Sequence, residues 1–135
     1  MKKIILPVFM IIALLGAASC SEKSADPIMV MSGEKLDSIA ANAKEKDNYL
    51  IIDVREDYEY KESHLENSIN ISVNELEKRI NEISSFKEKN IVVLCRSGRR
   101  SRMAAQILVN NGFKKVFDAP GVTKYKYKNI VKPKK

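Results

Sequence analysis

The chain is poor in the residues that build imidazole metal centres and disulfide frameworks: 135 residues include one histidine and two cysteines. With His64 alone, a histidine-based metal site is excluded. Cys20 and Cys95 leave at most one disulfide, too few for a stapled scaffold. No long basic helix with interleaved aromatics is present, which argues against nucleic-acid binding, although the formal net charge is +7. That excess reads as solvated surface, or as an attraction for small oxyanions. The apolar run from Ile4 to Leu15 falls short of the roughly 20 residues that a bilayer span needs.

What the N-terminus does contain is a targeting pattern. Lys2-Lys3 form a charged region, Ile4 to Leu15 an apolar one, and Gly16-Ala17-Ala18-Ser19 a small-residue cleavage region. Cys20 follows directly, as in a bacterial lipoprotein box, with Ala17 where leucine is commoner. The expectation is a signal peptide over 1–19, a lipid on Cys20 and a polar tether over 20–27. A lipid-anchored protein of the bacterial cell envelope would face the periplasm or the exterior. Ordinary cleavage nearby, leaving Cys20 a free thiol, is the alternative. Loss of Lys2 and Lys3 takes the charge from +7 to about +5. A lipidated Cys20 leaves Cys95 as the one free thiol; a Cys20–Cys95 disulfide would join a leader edge to a pocket.

At 44% apolar residues the remainder supports one domain. Short apolar runs predict strands at Ile28–Met31, Tyr49–Arg55, Ile91–Leu94 and Lys115–Asp118, and the stretch Ser63–Ile71 leads into another. Helical spacing predicts helices over Gly33–Lys46 with Ser32 as cap, and over Asn74–Ile83 with Asn74 and Glu77 as cap and partner. A third reads over Ser101–Phe113, with Ser101 as cap and Gly112 where a left-handed residue stops a helix. Alternating strands and helices imply an α/β fold, a mainly parallel sheet with helices on both faces, and a site at strand carboxyl ends. The tail 126–135, with five lysines and no period, reads as frayed, and its charge could also touch anionic lipid.

The chemistry concentrates where the strand Ile91–Leu94 ends at Cys95. Arg96-Ser97-Gly98-Arg99-Arg100-Ser101 follows and leads into a helix. That order places a thiol at a strand end, facing the amides of a helix N-terminus. Such a setting favours the thiolate, the reactive form of cysteine. The bland alternative is an inert buried cysteine closing a core strand. Asp53 and Arg55, at another strand end, read as a structural pair satisfying loop amides, and His64 reads as a residue that locks a loop.

Cys95-Arg96-Ser97-Gly98-Arg99-Arg100-Ser101 resembles the active-site loop of single-domain rhodaneses. Asp53, Arg55, His64 and Asn70 match that family's Asp-x-Arg, Gly-His and Asn positions, whereas Ser63, Glu66 and Asn67 replace its Gly, Pro and Gly. Asn67 tolerates a left-handed conformation. Ala119-Pro120-Gly121-Val122-Thr123-Lys124-Tyr125 is similar to its closing Gly-Gly-x-x-x-Trp, with Pro120 and Tyr125 substituted near the expected pocket rim. The resemblance spans 28–125 and implies a rhodanese-like sulfurtransferase without cofactor or metal. Cys95 would take sulfur from thiosulfate or a related oxyanion and pass it from a persulfide to a thiol, cyanide or a protein acceptor. Arg96, Arg99 and Arg100 would attract the donor, and the amides from Arg96 to Ser101 would stabilise charge on sulfur. A monomer is implied. Two other functions compete: a membrane-tethered carrier or partner-binding module without turnover, and a phosphatase or arsenate reductase. The latter needs arginine six positions after the cysteine, where Ser101 stands.

Overall fold

The structure, a computed structural model, describes residues 26–134. The expected signal peptide, the lipidation of Cys20 and the start of the tether lie outside the described residues.

The two most apolar runs make the centre of the sheet. Strands β2 (Tyr49–Asp53) and β5 (Asn90–Leu94) pair in parallel, with Ile52 opposite Val93 and Asp53 opposite Leu94. Runs buried on both faces suit the inside of a parallel sheet, which must be covered on each side. Outside them lie β4 (Ser68–Asn70) beside β2, then β6 (Lys115–Asp118) beside β5 and β1 (Ile28–Val30) beyond it. The order is β1-β6-β5-β2-β4 with every pairing parallel.

Alternation along β5 divides the core into two layers. Ile91, Val93 and Cys95 face α4 (Arg99–Asn110), α3 (Val73–Leu76) and a 3-10 helix at Ile80–Phe86. Val92 and Leu94 face α1 (Gly33–Ala40), where Leu36, Ile39 and Ala40 are buried. Helix α4 lays Ser101, Ala104, Ala105 and Leu108 against the sheet and stops before Gly112, whose φ of 87° is the left-handed conformation anticipated for it. From β2 the chain goes on to β4 on one side, whereas from β5 it goes through α4 to β6 on the other. The crevice between the carboxyl ends of β2 and β5 is therefore a topological switch point, where open α/β sheets place their sites.

Several expected boundaries move. Helix α1 is capped by Ser32 as anticipated but ends at Ala40, and Ala43 begins a separate 3-10 helix, Ala43–Asp47. The single helix over Asn74–Ile83 is replaced by α3, which Ser72 and not Asn74 caps, and the later 3-10 turn. Helix α4 starts at Arg99 behind Gly98, so Ser101 is not its cap but a first-turn residue. The tail is not frayed after Tyr125. Tyr127 is buried, and β7 (Ile130–Val131) pairs antiparallel with β3 (His64–Leu65). Two side chains explain this. Asp37 on α1 accepts from the amides of Lys128 and Asn129 at 2.9 and 3.0 Å and from Asn129 Nδ2 at 2.8 Å; the Tyr127 hydroxyl donates to the Pro120 carbonyl at 2.6 Å.

Candidate active site

Cys95 is the first residue beyond β5 and is fully buried, its thiol free. The chain turns back on itself at Gly98, whose φ of 105° is left-handed and which stands at the N-cap of α4. That turn brings the Gly98 N–H to Sγ of Cys95 at 3.1 Å. The Gly98 carbonyl in turn accepts from the Arg102 amide at 3.2 Å and the Ser101 hydroxyl at 3.0 Å. Ser101 therefore ties the loop to the first turn of the helix from within. Of the loop amides expected around sulfur, that of Gly98 makes the hydrogen bond to the thiol.

A second segment clamps the loop from outside. The amides of Val122 and Thr123 donate to the carbonyls of Cys95 and Arg96, each at 3.0 Å, and the Thr123 hydroxyl donates to the Arg96 carbonyl at 2.7 Å. Gly121 is buried against that same peptide; a Cβ there would collide with the Arg96 carbonyl. The glycine the sequence offered as a family mark is thus needed for close backbone approach. Tyr125, expected at the pocket rim, instead packs over Gly33 and edge-on to Tyr127, 4.8 Å between ring centroids.

The three arginines separate. Arg100 turns back to Glu59 on α2 (Asp57–Glu62) and forms a two-pronged pair, 2.6 and 3.1 Å. The Arg100 guanidinium holds the Glu59 carboxyl down at about 2, against a burial cost that works the other way. Glu59 also accepts from the Glu56 amide at 3.0 Å. The residue that engages Arg100 was not singled out by the sequence; its position three residues after Glu56, as in a capping box, was the available signal. Arg96, Ser97 and Arg99 stay exposed, and neither Arg96 nor Arg99 enters an ion pair among the described residues.

Asp53 and Arg55 pair as expected, Nη2 to Oδ2 at 2.7 Å with both groups buried. Arg55 reaches on to the Ser63 carbonyl at 2.7 Å, and Asn70 Nδ2 donates to the carbonyls of Asp53 and Arg55. All of these bonds tie the end of β2 to its following loops. His64 stacks on Tyr60, 3.9 Å between centroids, with Nδ1 2.9 Å from the Tyr60 carbonyl. Asn67 takes the left-handed turn, φ 59°. Among the described residues no group of three or more His, Cys, Asp or Glu side chains could hold a metal ion.

Asp118 is the other residue missed. It ends β6 opposite Val93, and its buried Oδ1 has no hydrogen-bond partner. Burial pushes its carboxyl up, with the Ser101 hydroxyl and Arg102 pulling the other way.

Comparison with known proteins places this geometry. The model of the rhodanese-like domain matches residues 36–123. A Bacillus subtilis protein named as a sulfur carrier, YrkF, is 45% identical over 73 residues, which cover 53% of this chain and 38% of that one. The tRNA uridine(34) hydroxylase of Wigglesworthia glossinidia brevipalpis is 32% identical over 117 residues, covering 82% of this chain and 37% of the hydroxylase. The chain thus spans well under half the length of either relative. A structure described as a rhodanese with anions, from E. coli, superposes with a TM-score of 0.57 at 32% identity over 63% of this chain and 99% of that one.

Proposed function

The chain belongs to the rhodanese-like domain family, and from that premise we propose that it is a sulfurtransferase acting through a persulfide on Cys95. The observation that carries the reading is the buried free thiol at the end of β5 with the Gly98 amide 3.1 Å from its sulfur. An amide at that distance stabilises a thiolate and, after reaction, the anionic persulfide. In the first step Cys95 Sγ attacks the outer sulfur of thiosulfate or a related donor. The donor's S–S bond breaks, sulfite leaves with the electron pair, and a new S–S bond to Cys95 forms. In the second, an acceptor thiolate or cyanide takes the outer sulfur and Cys95 leaves as thiolate. Arg96 and Arg99, exposed beside the loop, attract the anionic donor; Arg100 braces the loop through Glu59 rather than meeting substrate. The anions in the related E. coli structure support an anion site in this fold.

The test is intact mass after incubation with thiosulfate, beside Cys95→Ser. A gain of one sulfur, roughly 32 Da, discharged by cyanide and absent from the variant, is expected. No adduct with thiosulfate, polysulfide or a persulfide donor would sink the reading. A second reading, a sulfur carrier without small-molecule turnover, is favoured by the name of the Bacillus subtilis relative; it predicts the same adduct but negligible multiple turnover with cyanide. We further propose that Cys20 is lipidated and holds the domain on a bacterial envelope membrane, which membrane fractionation of the full chain beside Cys20→Ser tests.

A further inference from the structure

The ordered C-terminal strap has a property that persulfide chemistry on Cys95 does not use. Residues Tyr125 and Tyr127 turn inward while Lys124, Lys126 and Lys128 between and beside them are exposed. After Asp118 the sequence holds six lysines and no aspartate or glutamate. Among the described residues none of these lysines enters an ion pair. Asp37, the buried carboxylate that meets the strap, is already occupied by the amides of Lys128 and Asn129.

Two of the lysines flank a groove of about 280 Å³ lined by Ser63, Val122, Lys126, Tyr127, Ile130 and Lys132. Its floor is apolar and its rim cationic. One wall is Val122, whose amide donates to the Cys95 carbonyl at 3.0 Å, so the groove adjoins the backbone of the reactive loop. We propose that this groove seats an acidic, thiol-bearing peptide segment of the protein that accepts sulfur from Cys95. The proposal rests on the sulfurtransferase reading. Carboxylates of the segment meet Lys126 and Lys132, and an apolar side chain covers Val122 and Ile130. Its cysteine thiolate attacks the outer sulfur of the persulfide; the S–S bond to Cys95 breaks as the peptide's own persulfide forms, with Cys95 leaving as thiolate. Charge at such a rim acts mainly on association rate and is screened by salt.

The experiment uses the full chain carrying a preformed Cys95 persulfide, verified by mass, and three short cysteine peptides of acidic, neutral and basic sequence. Transfer to the acidic peptide should be about tenfold faster than to the neutral one at low salt and converge with it at high salt. In Lys126→Glu/Lys132→Glu the acidic preference should vanish or invert. In Lys44→Glu/Lys46→Glu, an equal charge change on the distant 3-10 helix, it should persist. Transfer independent of peptide charge, or equal loss of preference in both variants, overturns the proposal. So does a result in which the groove variant loses binding to phosphatidylglycerol vesicles while its peptide preference is intact, because the lysines then serve a membrane. Absence of the persulfide itself marks failure of the sulfurtransferase reading instead. In that event fluorescence anisotropy of the labelled acidic peptide decides whether the groove binds it: wild-type binding lost in the Lys126/Lys132 variant retains the docking surface, and no binding removes it.

Discussion

Two segments meet at Pro120 and Val122, the Cys95 loop and the C-terminal strap, and they are held by different means. The Cys95 loop is fixed mainly by backbone groups: the Gly98 amide on sulfur, the Gly98 carbonyl under the Ser101 hydroxyl and the Arg102 amide, and the Cys95 and Arg96 carbonyls under the amides of Val122 and Thr123. The strap beyond Tyr125 ends in the β3–β7 pairing, but its seat against α1 and Pro120 is fixed by side chains, those of Asp37, Asn129 and Tyr127. Charge divides them too, since Arg100 has Glu59 whereas the strap lysines have no acidic partner among the described residues. Reaction geometry tolerates little displacement, about 1 Å costing up to a hundredfold, so backbone contacts suit the first segment. A recognition surface tolerates more, and a side-chain latch suffices for the second.

The largest effect expected is that of Gly121→Ala. The added methyl meets the Arg96 carbonyl, which is backbone and cannot rotate away, so the loop itself must shift. Persulfide formation should fall by about a hundredfold or more, measured by the rate of mass gain with thiosulfate, while the domain remains folded by circular dichroism. An unimpaired rate would show that the clamp does not set the position of Cys95.

Asp37→Ala addresses the other segment. It removes the acceptor of three hydrogen bonds to the strap and should cost about 2–3 kcal/mol, as buried hydrogen bonds to a charged group do. Trypsin should then cut after Lys126 or Lys128 much faster, yet persulfide formation should persist, because Gly121 to Thr123 are anchored separately. If the reaction rate falls as far as stability does, the two segments are one unit.

Glu59→Gln tests the brace beneath the loop. Arg100 lowers the Glu59 carboxyl from its ordinary 4.5 to about 2. The pair therefore contributes stability above pH 4.5 that is lost as pH falls through that window toward 2. The buried carboxylate supports a loss of about 2 kcal/mol in the variant at pH 7. Urea unfolding should show that difference shrinking between pH 4.5 and 2.5; a constant difference would assign the effect to packing alone.

The sheet, the Cys95 loop and the Asp53–Arg55 pair were legible in the sequence because each is encoded locally. Four apolar residues followed by Cys95, Gly98 and a helical stripe define their own geometry, and Asp53 finds its partner two residues on. What was illegible depends on residues far apart. Asp37 reaches Asn129, Arg100 reaches Glu59 41 positions away, and Gly33 receives the Tyr125 ring. The strap has no hydrophobic period of its own, so its order appears only once α1 supplies the acceptor. Ser101 misled for a related reason: a serine before an apolar stripe signals a cap, but the left-handed Gly98 had already begun the helix.

Asp118 gives the smallest effect and the sharpest sign. Its carboxyl sits at the end of β6 with a buried, unpartnered oxygen, and burial raises its titration above the ordinary range. The folded protein therefore holds this proton more tightly than the unfolded chain. That contribution is complete below the ordinary carboxylate range and is lost as pH rises through the raised value. Above that raised value the ionised group is a liability that Asp118→Asn removes without changing shape. The variant should unfold at a higher urea concentration at pH 7, by less than about 1 kcal/mol, and show no advantage near pH 3. Destabilisation at pH 7 would mean that the ionised carboxylate is being used there, through the Ser101 hydroxyl that also holds the Gly98 carbonyl. The boundary between the catalytic loop and the surrounding core would then have to be drawn one residue deeper.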